Sequence, residues 1–261
     1  MHNDNVFANK KGFNPKDKIC LVTGGSSGIG LALVNELSER KAKAVINIDL
    51  KNNSASRAEY FFANVGIKNE MESVLNRIYK KFNKVDIVCC NAGIAKDDDA
   101  NASEDHWQQI INTNLLQHTI LARYCIPKML IENEGWFLIT ASAAGLLSQV
   151  GSATYSTTKH AAVGFAEWLA ITYGDKNIGV SLLCPQGVNT PMTEKLKDGG
   201  VAGINGMLEA HEVASVTLNA INKGQFLITP HEIVRKYIKI KANNTDKWIL
   251  GMRKLYKDFI I

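Results

Sequence analysis

The sequence predicts a single α/β domain, a doubly wound parallel sheet, followed by a helical C-terminal extension. Its apolar runs are short and continuous rather than alternating, which is typical of parallel strands buried on both faces. Segments with apolar residues at helical spacing separate these runs, and such alternation indicates βαβ units. A length of 261 residues fits one large domain better than two. We therefore divide the chain into a polar arm (1–16), a sheet domain (17–230) and the extension (231–261).

Each element is predicted from its apolar pattern. The predicted strands cover residues 18–25, 44–50, 61–65, 85–93, 135–145, 178–187 and 224–230. The predicted helices cover residues 28–41, 68–82, 103–130, 154–174 and 210–222, and Ser103 is the N-cap of the third. Too few residues separate Asp49 from the third strand for a full helix. The extension adds two helical segments, which are split at residues 242–246.

Composition and charge narrow the class of protein. The net charge is +5 and no run of five or six like charges occurs, so nucleic acid is not indicated as a partner. The polar N-terminus lacks the apolar core of a signal peptide. No apolar run approaches the roughly 20 residues that a membrane span needs. We therefore expect a soluble, cytoplasmic protein that binds neither nucleic acid nor a membrane.

The cysteines and histidines do not indicate a metal site. Five cysteines and six histidines occur, without metal-ligand spacing. Four of the cysteines lie in or beside apolar runs, so we expect buried, reduced thiols and a reducing compartment. Cys89 and Cys90 are adjacent, and on a strand they would point to opposite faces of the sheet.

A glycine-rich turn, TGGSSGIG at residues 23–30, joins the first strand to the first helix. Glycine permits a tight turn and close approach of the backbone to a diphosphate, whose charge the helix N-terminus favours. The strand–turn–helix context is the one that dinucleotide binding requires. The alternative is a packing turn that binds no ligand. The cofactor-binding residues predicted in this turn are Gly24, Ser26, Ser27, Gly28, Ile29 and Gly30.

Asp49 ends the second strand, nineteen residues after Gly30. An acidic residue at this point accepts hydrogen bonds from the adenosine ribose hydroxyls and repels a 2′-phosphate. No Arg or Lys lies within the glycine turn, and Leu50 follows Asp49. These features favour NAD over NADP as the cofactor. The alternative is a solvated carboxylate at the end of a strand.

Tyr155 and Lys159 lie four residues apart in a predicted helix, so their side chains share a face. Taken alone, this spacing also suits a surface tyrosine beside a solvated lysine. The rest of the chain supplies further motifs in order: CNAG at residues 90–93, Asn114 in NTNL, Ser142 in ITASAAG, and CPQGVNTPM at residues 184–192. With the T-G-x-x-x-G-I-G turn and the Tyr–Lys pair, these motifs resemble those of the classical short-chain dehydrogenase/reductase family over residues 17–230.

The resemblance implies a Rossmann-type fold and a catalytic set of Asn114, Ser142, Tyr155 and Lys159. Tyr155 would move a proton as the hydride moves, and the Lys159 ammonium would pull its pKa from about 10 toward neutrality. In the family this lysine also holds the nicotinamide ribose. Ser142 would stabilise charge on the reacting oxygen, and Asn114 would hold a water that links Lys159 to solvent. Further cofactor contacts implied by the resemblance are Leu50, Asn64, Val65, Asn91, Ala92, Gly93, Pro185, Gly187, Val188 and Thr190, beside Tyr155 and Lys159.

The chain departs from the family pattern at several positions. Cys90 replaces an asparagine, and Asn64 replaces the aspartate that contacts adenine. Gln186 takes the place of the usual glycine, which moves to Gly187. The missing helix after Asp49 should leave the adenine side of the site more open. A long basic and aromatic extension replaces the family's usual short C-terminal strand.

We therefore expect an NAD-dependent enzyme that interconverts a secondary alcohol and a ketone. No histidine or nucleophile elbow stands where acyl transfer would need one. The alternative is a catalytically silent dinucleotide-binding protein that acts as a sensor or scaffold. The segment after Thr190 should form a mobile wall over an apolar or amphipathic small-molecule substrate, with Met192, Leu196 and Met207 in it. Equally, these side chains could only pack the loop.

Family members are usually tetramers, so we expect a homotetramer or a dimer. The extension carries apolar residues at helical spacing, and such a stripe has to be buried. We expect it to pack across a subunit boundary, or over the substrate loop of its own or a neighbouring subunit. The alternative is that it covers only its own subunit, with its eight Lys and Arg residues facing solvent against three Asp and Glu.

Overall fold

The apolar runs of the sequence form one parallel sheet. The computed structural model describes residues 8–9, 11–53 and 56–260; the rest of the predicted arm, residues 54–55 and the last residue of the extension lie outside the described residues. The strands are β1 Ile19–Thr23, β2 Ala44–Asp49, β3 Glu59–Phe62, β4 Ile87–Cys90, β5 Gly135–Thr140, β6 Ile178–Leu183, β7 Val188–Asn189, β8 Leu208–Glu209 and β9 Leu227–Ile228. The main sheet has seven strands in the order β3-β2-β1-β4-β5-β6-β9, all paired in parallel. β7 and β8 form a separate parallel pair.

Helices connect the strands and cover both faces of the sheet. They are α1 Gly28–Glu39, α2 Lys68–Phe82, α3 Glu104–Ile111, α4 Gln117–Glu132, α5 Ala144–Leu147, α6 Ala153–Tyr173, α7 Ala210–Asn222, α8 Glu232–Asn243 and α9 Thr245–Ile260. A turn of π-helix at Asn112–Leu116 joins α3 to α4. Short 3₁₀ segments lie at Gly174–Lys176 and Lys197–Gly203.

Several predicted bounds shift where the chain leaves the sheet. β5 ends at Thr140 and β6 at Leu183, earlier than predicted, because the following residues bend away to form a rim. β9 has two residues, and Pro230, which has no N–H to donate to a ladder, follows soon after it. The predicted third helix is divided into α3 and α4 by the π turn, which continues the helical backbone between them. Ser103 caps α3 by accepting a hydrogen bond from the His106 N–H. No helix lies between β2 and β3 among the described residues, as predicted.

The two faces of the sheet bury separate apolar clusters. Along β5, Phe137 and Ile139 point to the face covered by α2, α4 and α6, whereas Trp136 and Leu138 point to the face covered by α1 and α7. This alternation of buried residues on both faces confirms a doubly wound sheet. All five cysteines are buried and free, and the adjacent pair of β4 faces opposite sides, as predicted.

The extension packs on its own chain. Val234 of α8 is fully buried against Ala143 and Leu147, beside and within the short helix α5. Tyr237 and Trp248 place their rings 5.8 Å apart in the same cluster. Packing across a subunit boundary stays a prediction. Within the described part of the chain, none of the helices combines the length and apolarity that a membrane span demands.

Helix α5 approaches helix α6 as closely as backbones can. A Cβ built on Gly145 would lie 2.4 Å from the Lys159 carbonyl oxygen and 3.0 Å from a methyl group of Val163. Only a glycine fits there, so this contact sets the distance between the residues that follow β5 and the helix that carries Tyr155 and Lys159.

We predict that Gly145→Ala lowers the free energy of unfolding by about 1–3 kcal/mol, because the added methyl group forces two backbone segments apart. Gly164→Ala is the matched control in the same helix α6, since no atom lies within 4 Å of its Cβ position. That substitution should raise stability by a few tenths to about 1 kcal/mol. Thermal and urea unfolding measure both. Equal stability of the two variants would contradict the close approach of α5 and α6.

Candidate active site

A cleft of about 510 Å³ opens at the carboxyl edge of the sheet. Parallel strands all end at this edge, so the residues that follow β1, β2, β4, β5 and β6 meet there. The predicted site residues that line the cleft are Gly24, Ser27, Gly28, Ile29, Asp49, Leu50, Asn64, Val65, Asn91, Ala92, Gly93, Ser142, Tyr155, Lys159, Pro185, Val188, Thr190, Met192 and Leu196. Ser26 lines an adjoining hollow with Asp49. Gly30, Asn114, Gly187 and Met207 lie behind the walls.

The glycine turn folds tightly against neighbouring backbone. Gly24 has a φ of +67°, and a Cβ there would lie 2.9 Å from the Ala92 Cα. A Cβ on Gly30 would lie 2.0 Å from the carbonyl oxygen of Gly24. These two positions therefore require glycine, and the backbone N–H groups at the start of α1 stay open to the cleft. This cradle fits a diphosphate.

A buried asparagine holds the turn from below. Asn47 of β2 accepts a hydrogen bond from the Gly25 N–H (2.8 Å) and donates one to the Ser26 hydroxyl (2.8 Å). Its side chain is buried within the sheet. The sequence analysis missed Asn47, although a polar residue in the middle of an apolar strand was a signal for it.

Asp49 lies at the rim of the cleft, at the end of β2. Its carboxylate accepts hydrogen bonds from the N–H groups of Ser26 (3.0 Å) and Lys51 (3.1 Å). Each carboxylate oxygen has two lone pairs and accepts one of these hydrogen bonds, so each can accept a further donor. The side-chain oxygen of Asn64 accepts a hydrogen bond from the Gly66 N–H (3.0 Å). This end of the cleft therefore presents a fixed negative charge.

Thr23 connects the first strand to the segment after β4. Its hydroxyl oxygen accepts from the N–H groups of Asn91 (3.0 Å) and Ala92 (3.1 Å), and its hydroxyl donates to Gln117 (2.9 Å). Both Thr23 and Gln117 are buried. Gln117 carried no recognisable signal in the sequence, and Thr23 was noted only as the first residue of the glycine turn, because the contacts of both join segments far apart in the chain.

Asn114 lies in the π turn, fully buried behind the cleft. Its amide oxygen accepts from the Ile94 N–H (2.9 Å), and its amide nitrogen donates to the Ile94 carbonyl (2.9 Å). π turns inside helices frequently mark functional sites. This one brings Asn114 next to Gly93, where a Cβ would lie 3.5 Å from both the Asn114 amide oxygen and the Lys159 Nζ.

Ser142, Tyr155 and Lys159 converge on the middle of the cleft. Lys159 is 3% exposed, and its Nζ donates to the Thr140 carbonyl at the end of β5 (2.9 Å). The same Nζ lies 5.6 Å from the centre of the Tyr155 ring. Ser142 makes a side-chain hydrogen bond with Tyr155. The helical spacing of four residues thus places tyrosine and lysine on one face, as predicted, but both are enclosed rather than solvated.

Burial shifts the pKa values of this pair in opposite directions. It lowers the pKa of Lys159 from 10.5 to about 8. Burial also raises the pKa of Tyr155, although the hydrogen bond with Ser142 acts the other way. In the protein without a cofactor, desolvation of the phenolate sets the direction of the Tyr155 shift. That Lys159 pulls the Tyr155 pKa toward neutrality in the cofactor-bound enzyme stays a prediction.

Asp98 anchors the helix that carries the pair. It accepts from the Thr154 N–H (3.1 Å) in the first turn of α6 and from His106 Nε2 (2.9 Å). Burial alone would raise the pKa of Asp98, but these hydrogen bonds outweigh it and lower the pKa. Ser152 adds a hydrogen bond to the Lys96 carbonyl (2.7 Å). The sequence analysis did not identify Asp98.

The loop after β7 forms one wall of the cleft. Met192 and Leu196 line the wall and remain exposed to solvent. Met207 lies elsewhere in the same segment. Its sulfur packs where a Cβ on Gly187 or Gly199 would lie, 2.5 and 2.2 Å away. Met207 therefore does not face the cleft, because two glycines leave a space that it fills. For this residue the alternative, that it only packs the loop, is what the structure supports.

Comparisons with known proteins found relatives of this chain by sequence. The model of a family described as short chain dehydrogenase matches residues 18–200. The 3-oxoacyl-(acyl-carrier-protein) reductase FabG of Escherichia coli strain K12 is 33% identical over 199 residues, which cover 73% of this chain and 82% of that protein. The reductase of the same name from Thermotoga maritima is 27% identical over 192 residues, which cover 69% of this chain and 78% of that protein.

Solved structures share the fold. A short chain dehydrogenase/reductase from Burkholderia phymatum, in complex with NAD, has a TM-score of 0.79 at 23% identity and covers 90% of this chain and 96% of its own. The ligand-free aldohexose dehydrogenase of Thermoplasma acidophilum has a TM-score of 0.75 at 21% identity, with 84% and 95% covered. These likenesses show that the chain shares its fold with the two proteins.

We predict a pH-dependent cost of burying the Lys159 ammonium. Its folded pKa of about 8 lies below the unfolded value of 10.5, so the unfolded chain binds more protons between these pH values. The contribution of this group to the free energy of unfolding therefore rises with pH. The free energy of unfolding of the wild type minus that of Lys159→Met should rise between pH 7 and pH 10 by up to about 3 kcal/mol.

Urea unfolding at several pH values measures this difference. Lys223→Met, at an exposed position, is the control and should give a difference that does not change with pH. A flat difference for Lys159→Met as well would contradict the burial of the ammonium.

Proposed function

The chain belongs to the short-chain dehydrogenase family, and from this membership we propose that it interconverts a secondary alcohol and a ketone with NAD(H). It is an oxidoreductase of this family, whose members bind NAD or NADP. The observation that carries the proposal is the convergence of Ser142, Tyr155 and Lys159 in the cleft whose other end holds the glycine turn.

A nicotinamide dinucleotide, when bound, supplies the hydride donor or acceptor. The residues present fit such a group, because the glycine turn leaves a cradle of N–H groups at one end of the cleft and Asp49 lies beside it. Gly24, Ser27, Gly28 and Ile29 would hold the diphosphate. Lys159 and the segment from Pro185 to Thr190 would hold the nicotinamide end.

In the proposed mechanism Tyr155 transfers the proton. Its hydroxyl gives a proton to the ketone oxygen during reduction and takes one from the alcohol during oxidation. Ser142 donates a hydrogen bond to the same oxygen and so stabilises the charge that develops on it. Lys159 favours the phenolate by its charge, and Asn114 would hold the water through which Lys159 exchanges protons with solvent.

The raised pKa of Tyr155 decides which protonation state the residue has before the reaction. A Tyr155 whose pKa is raised holds its proton at neutral pH and is ready to donate it to a ketone. Oxidation needs the phenolate, so it depends on a further positive charge near the ring, which an oxidised nicotinamide provides. Burial therefore favours the protonated tyrosine, which is the form from which reduction starts.

For the substrate we propose an apolar or amphipathic oxo compound, and a 3-oxoacyl thioester is the first one to test. The wall formed by Met192 and Leu196 is apolar and open to solvent at its outer side, which suits an acyl chain. The relatives that share 27–33% identity with this chain are named for reduction of 3-oxoacyl groups.

For the cofactor we propose NAD rather than NADP. The Asp49 carboxylate is fixed by two backbone N–H groups and cannot turn away from a 2′-phosphate. Bringing the two negative charges together would cost several kcal/mol at most and favours NAD. The Ser26 hydroxyl, which donates to the Lys51 carbonyl, closes the same hollow.

We also propose a homo-oligomer, a tetramer or a dimer, since members of the family commonly oligomerise. Ile131 of α4 and Ile171 of α6 are each 83% exposed, and Trp168 of α6 is also exposed. Large exposed apolar side chains on adjacent helices are typical of a surface that another subunit covers. A catalytically silent sensor or scaffold is the second candidate, and turnover of a ketone would exclude it.

Tyr155→Phe should lower kcat for ketone reduction by about 10² to 10⁴, because only the proton-transfer group is lost. The dissociation constant for NADH should stay nearly unchanged. Spectrophotometric NADH turnover and fluorescence titration give the two quantities. Tyr173→Phe, at the other end of α6, is the matched control and should keep wild-type kcat. Wild-type turnover by Tyr155→Phe would remove the catalytic assignment.

Asp49→Ala should narrow the preference for NAD(H) over NADP(H) by about tenfold or more, since the charge that faces a 2′-phosphate is removed. The measurement is kcat/KM with each cofactor for wild type and variant. Glu39→Ala, at the exposed end of α1, changes the same net charge and should leave the preference as it is. A wild type that prefers NADP(H) would refute this interpretation of Asp49.

A further inference from the structure

The segment Pro185–Gly187 crosses the cleft between two supports. On one side, the Pro185 carbonyl accepts from the Ala143 N–H (2.8 Å). On the other side, β9 has ended, and its last contact is the Cys184 N–H donating to the Ile228 carbonyl (2.8 Å). The next backbone groups are the Gln186 N–H, for which no strand supplies a partner, and the Gly187 carbonyl, which accepts from the Leu208 N–H of β8 (3.0 Å) and has capacity for a second donor.

His231, at the start of the extension, contacts both groups: it is the acceptor for the Gln186 N–H and a second donor to the Gly187 carbonyl. The Gln186 N–H donates to His231 Nδ1 (3.2 Å), and His231 Nε2–H donates to the Gly187 carbonyl (3.0 Å). This pattern assigns the imidazole proton to Nε2. The ring is 7% exposed, and its burial lowers the pKa of His231, which keeps the ring neutral at pH 7. The imidazole thus accepts the hydrogen bond from the Gln186 N–H that a further residue of β9 would otherwise accept.

We propose that His231 is a positioning residue for the cofactor: it sets the Gln186–Gly187 backbone against the nicotinamide end of the dinucleotide. The inference rests on the proposed function, because it takes the cleft to be a dinucleotide site. Pro185, Gln186 and Val188 line the cleft together with Ser142 and Tyr155, at the end opposite to Asp49. A change at His231 therefore acts on one half of the dinucleotide.

The extension holds His231 in place and joins the same rim at a second point. Val234, one turn into α8, is buried against the residues that follow Ser142. Tyr237 donates its hydroxyl to the side-chain oxygen of Asn205 (3.3 Å), and the Gln186 side chain donates to the same oxygen (3.1 Å). One oxygen of the substrate loop thus connects the extension to the residue that His231 positions.

The test compares two ligands that share the ADP-ribose part and differ in the nicotinamide ring. NADH is titrated by fluorescence and ADP-ribose, which lacks the nicotinamide ring, by calorimetry, on wild type and His231 variants of the full chain. In His231→Ala the loss of two hydrogen bonds should raise the dissociation constant for NADH by about tenfold. The dissociation constant for ADP-ribose should change less than about twofold, because it lacks the nicotinamide ring that the Gln186–Gly187 backbone is proposed to face.

Two further variants sharpen the test. His231→Asn keeps an acceptor near the position of Nδ1, so it should recover part of the NADH affinity. Lys239→Ala, at an exposed position of the same helix α8, leaves both His231 hydrogen bonds and should bind NADH as wild type does. If His231→Ala does not fold, the comparison of His231→Asn with wild type carries the same prediction at a smaller effect.

Two results would overturn the inference. One is unchanged NADH affinity in His231→Ala. The other is a parallel loss of NADH and ADP-ribose in both His231 variants, which would mean that the residue only supports the fold. A wild type that binds neither ligand would instead refute the proposed dinucleotide site, and the role of His231 with it.

Discussion

The buried ammonium of Lys159 is the group on which the rest of the site depends. A charge this deep is tolerated because the Thr140 carbonyl, freed at the end of β5, accepts its hydrogen bond. The surrounding backbone comes close at Gly145, where a Cβ would lie 2.4 Å from the Lys159 carbonyl oxygen, and at Gly93, where a Cβ would lie 3.5 Å from the Lys159 Nζ. The parallel sheet makes this possible, because it ends β4 and β5 side by side beneath α6. The positions of Tyr155 and the residues after β5 follow from the same packing.

Much of this arrangement could be predicted from the sequence, because it rests on local patterns. Continuous apolar runs indicate buried parallel strands, and ordered motifs brought Asn114, Ser142, Tyr155 and Lys159 together. The residues that were missed act between distant segments. Asn47, Thr23 and Asp98 each join parts of the chain that meet only in the folded sheet, and no spacing along the sequence reports such a contact. The strand ends were also predicted too long, because apolar residues continue into the rim, where the chain has already left the ladder.

The extension shows the same limit more clearly. Helical spacing of apolar residues predicted its helices, but a stripe does not say what covers it. The partner is the short helix α5, whose first two residues were predicted as the end of a strand, so its apolar side could not be anticipated. α9 keeps part of its apolar surface exposed, at Ile249 and Phe259 for example. No sequence pattern indicated a role for His231, because its two hydrogen-bond partners belong to a segment more than forty residues earlier in the chain.

The opposed pKa shifts tie proton transfer to cofactor binding. Burial raises the pKa of Tyr155 and lowers that of Lys159, so in the protein alone the phenol keeps its proton at neutral pH. In the proposed mechanism a positively charged ring beside Tyr155 reverses the balance for oxidation, whereas reduction starts from the phenol that burial already favours. The position of that ring then decides how strongly it acts, since Coulomb energies in a poorly solvated cleft change steeply with distance. A segment that shifts by a fraction of an ångström would weaken this effect, and this is the physical reason for holding Gln186 and Gly187 on both sides.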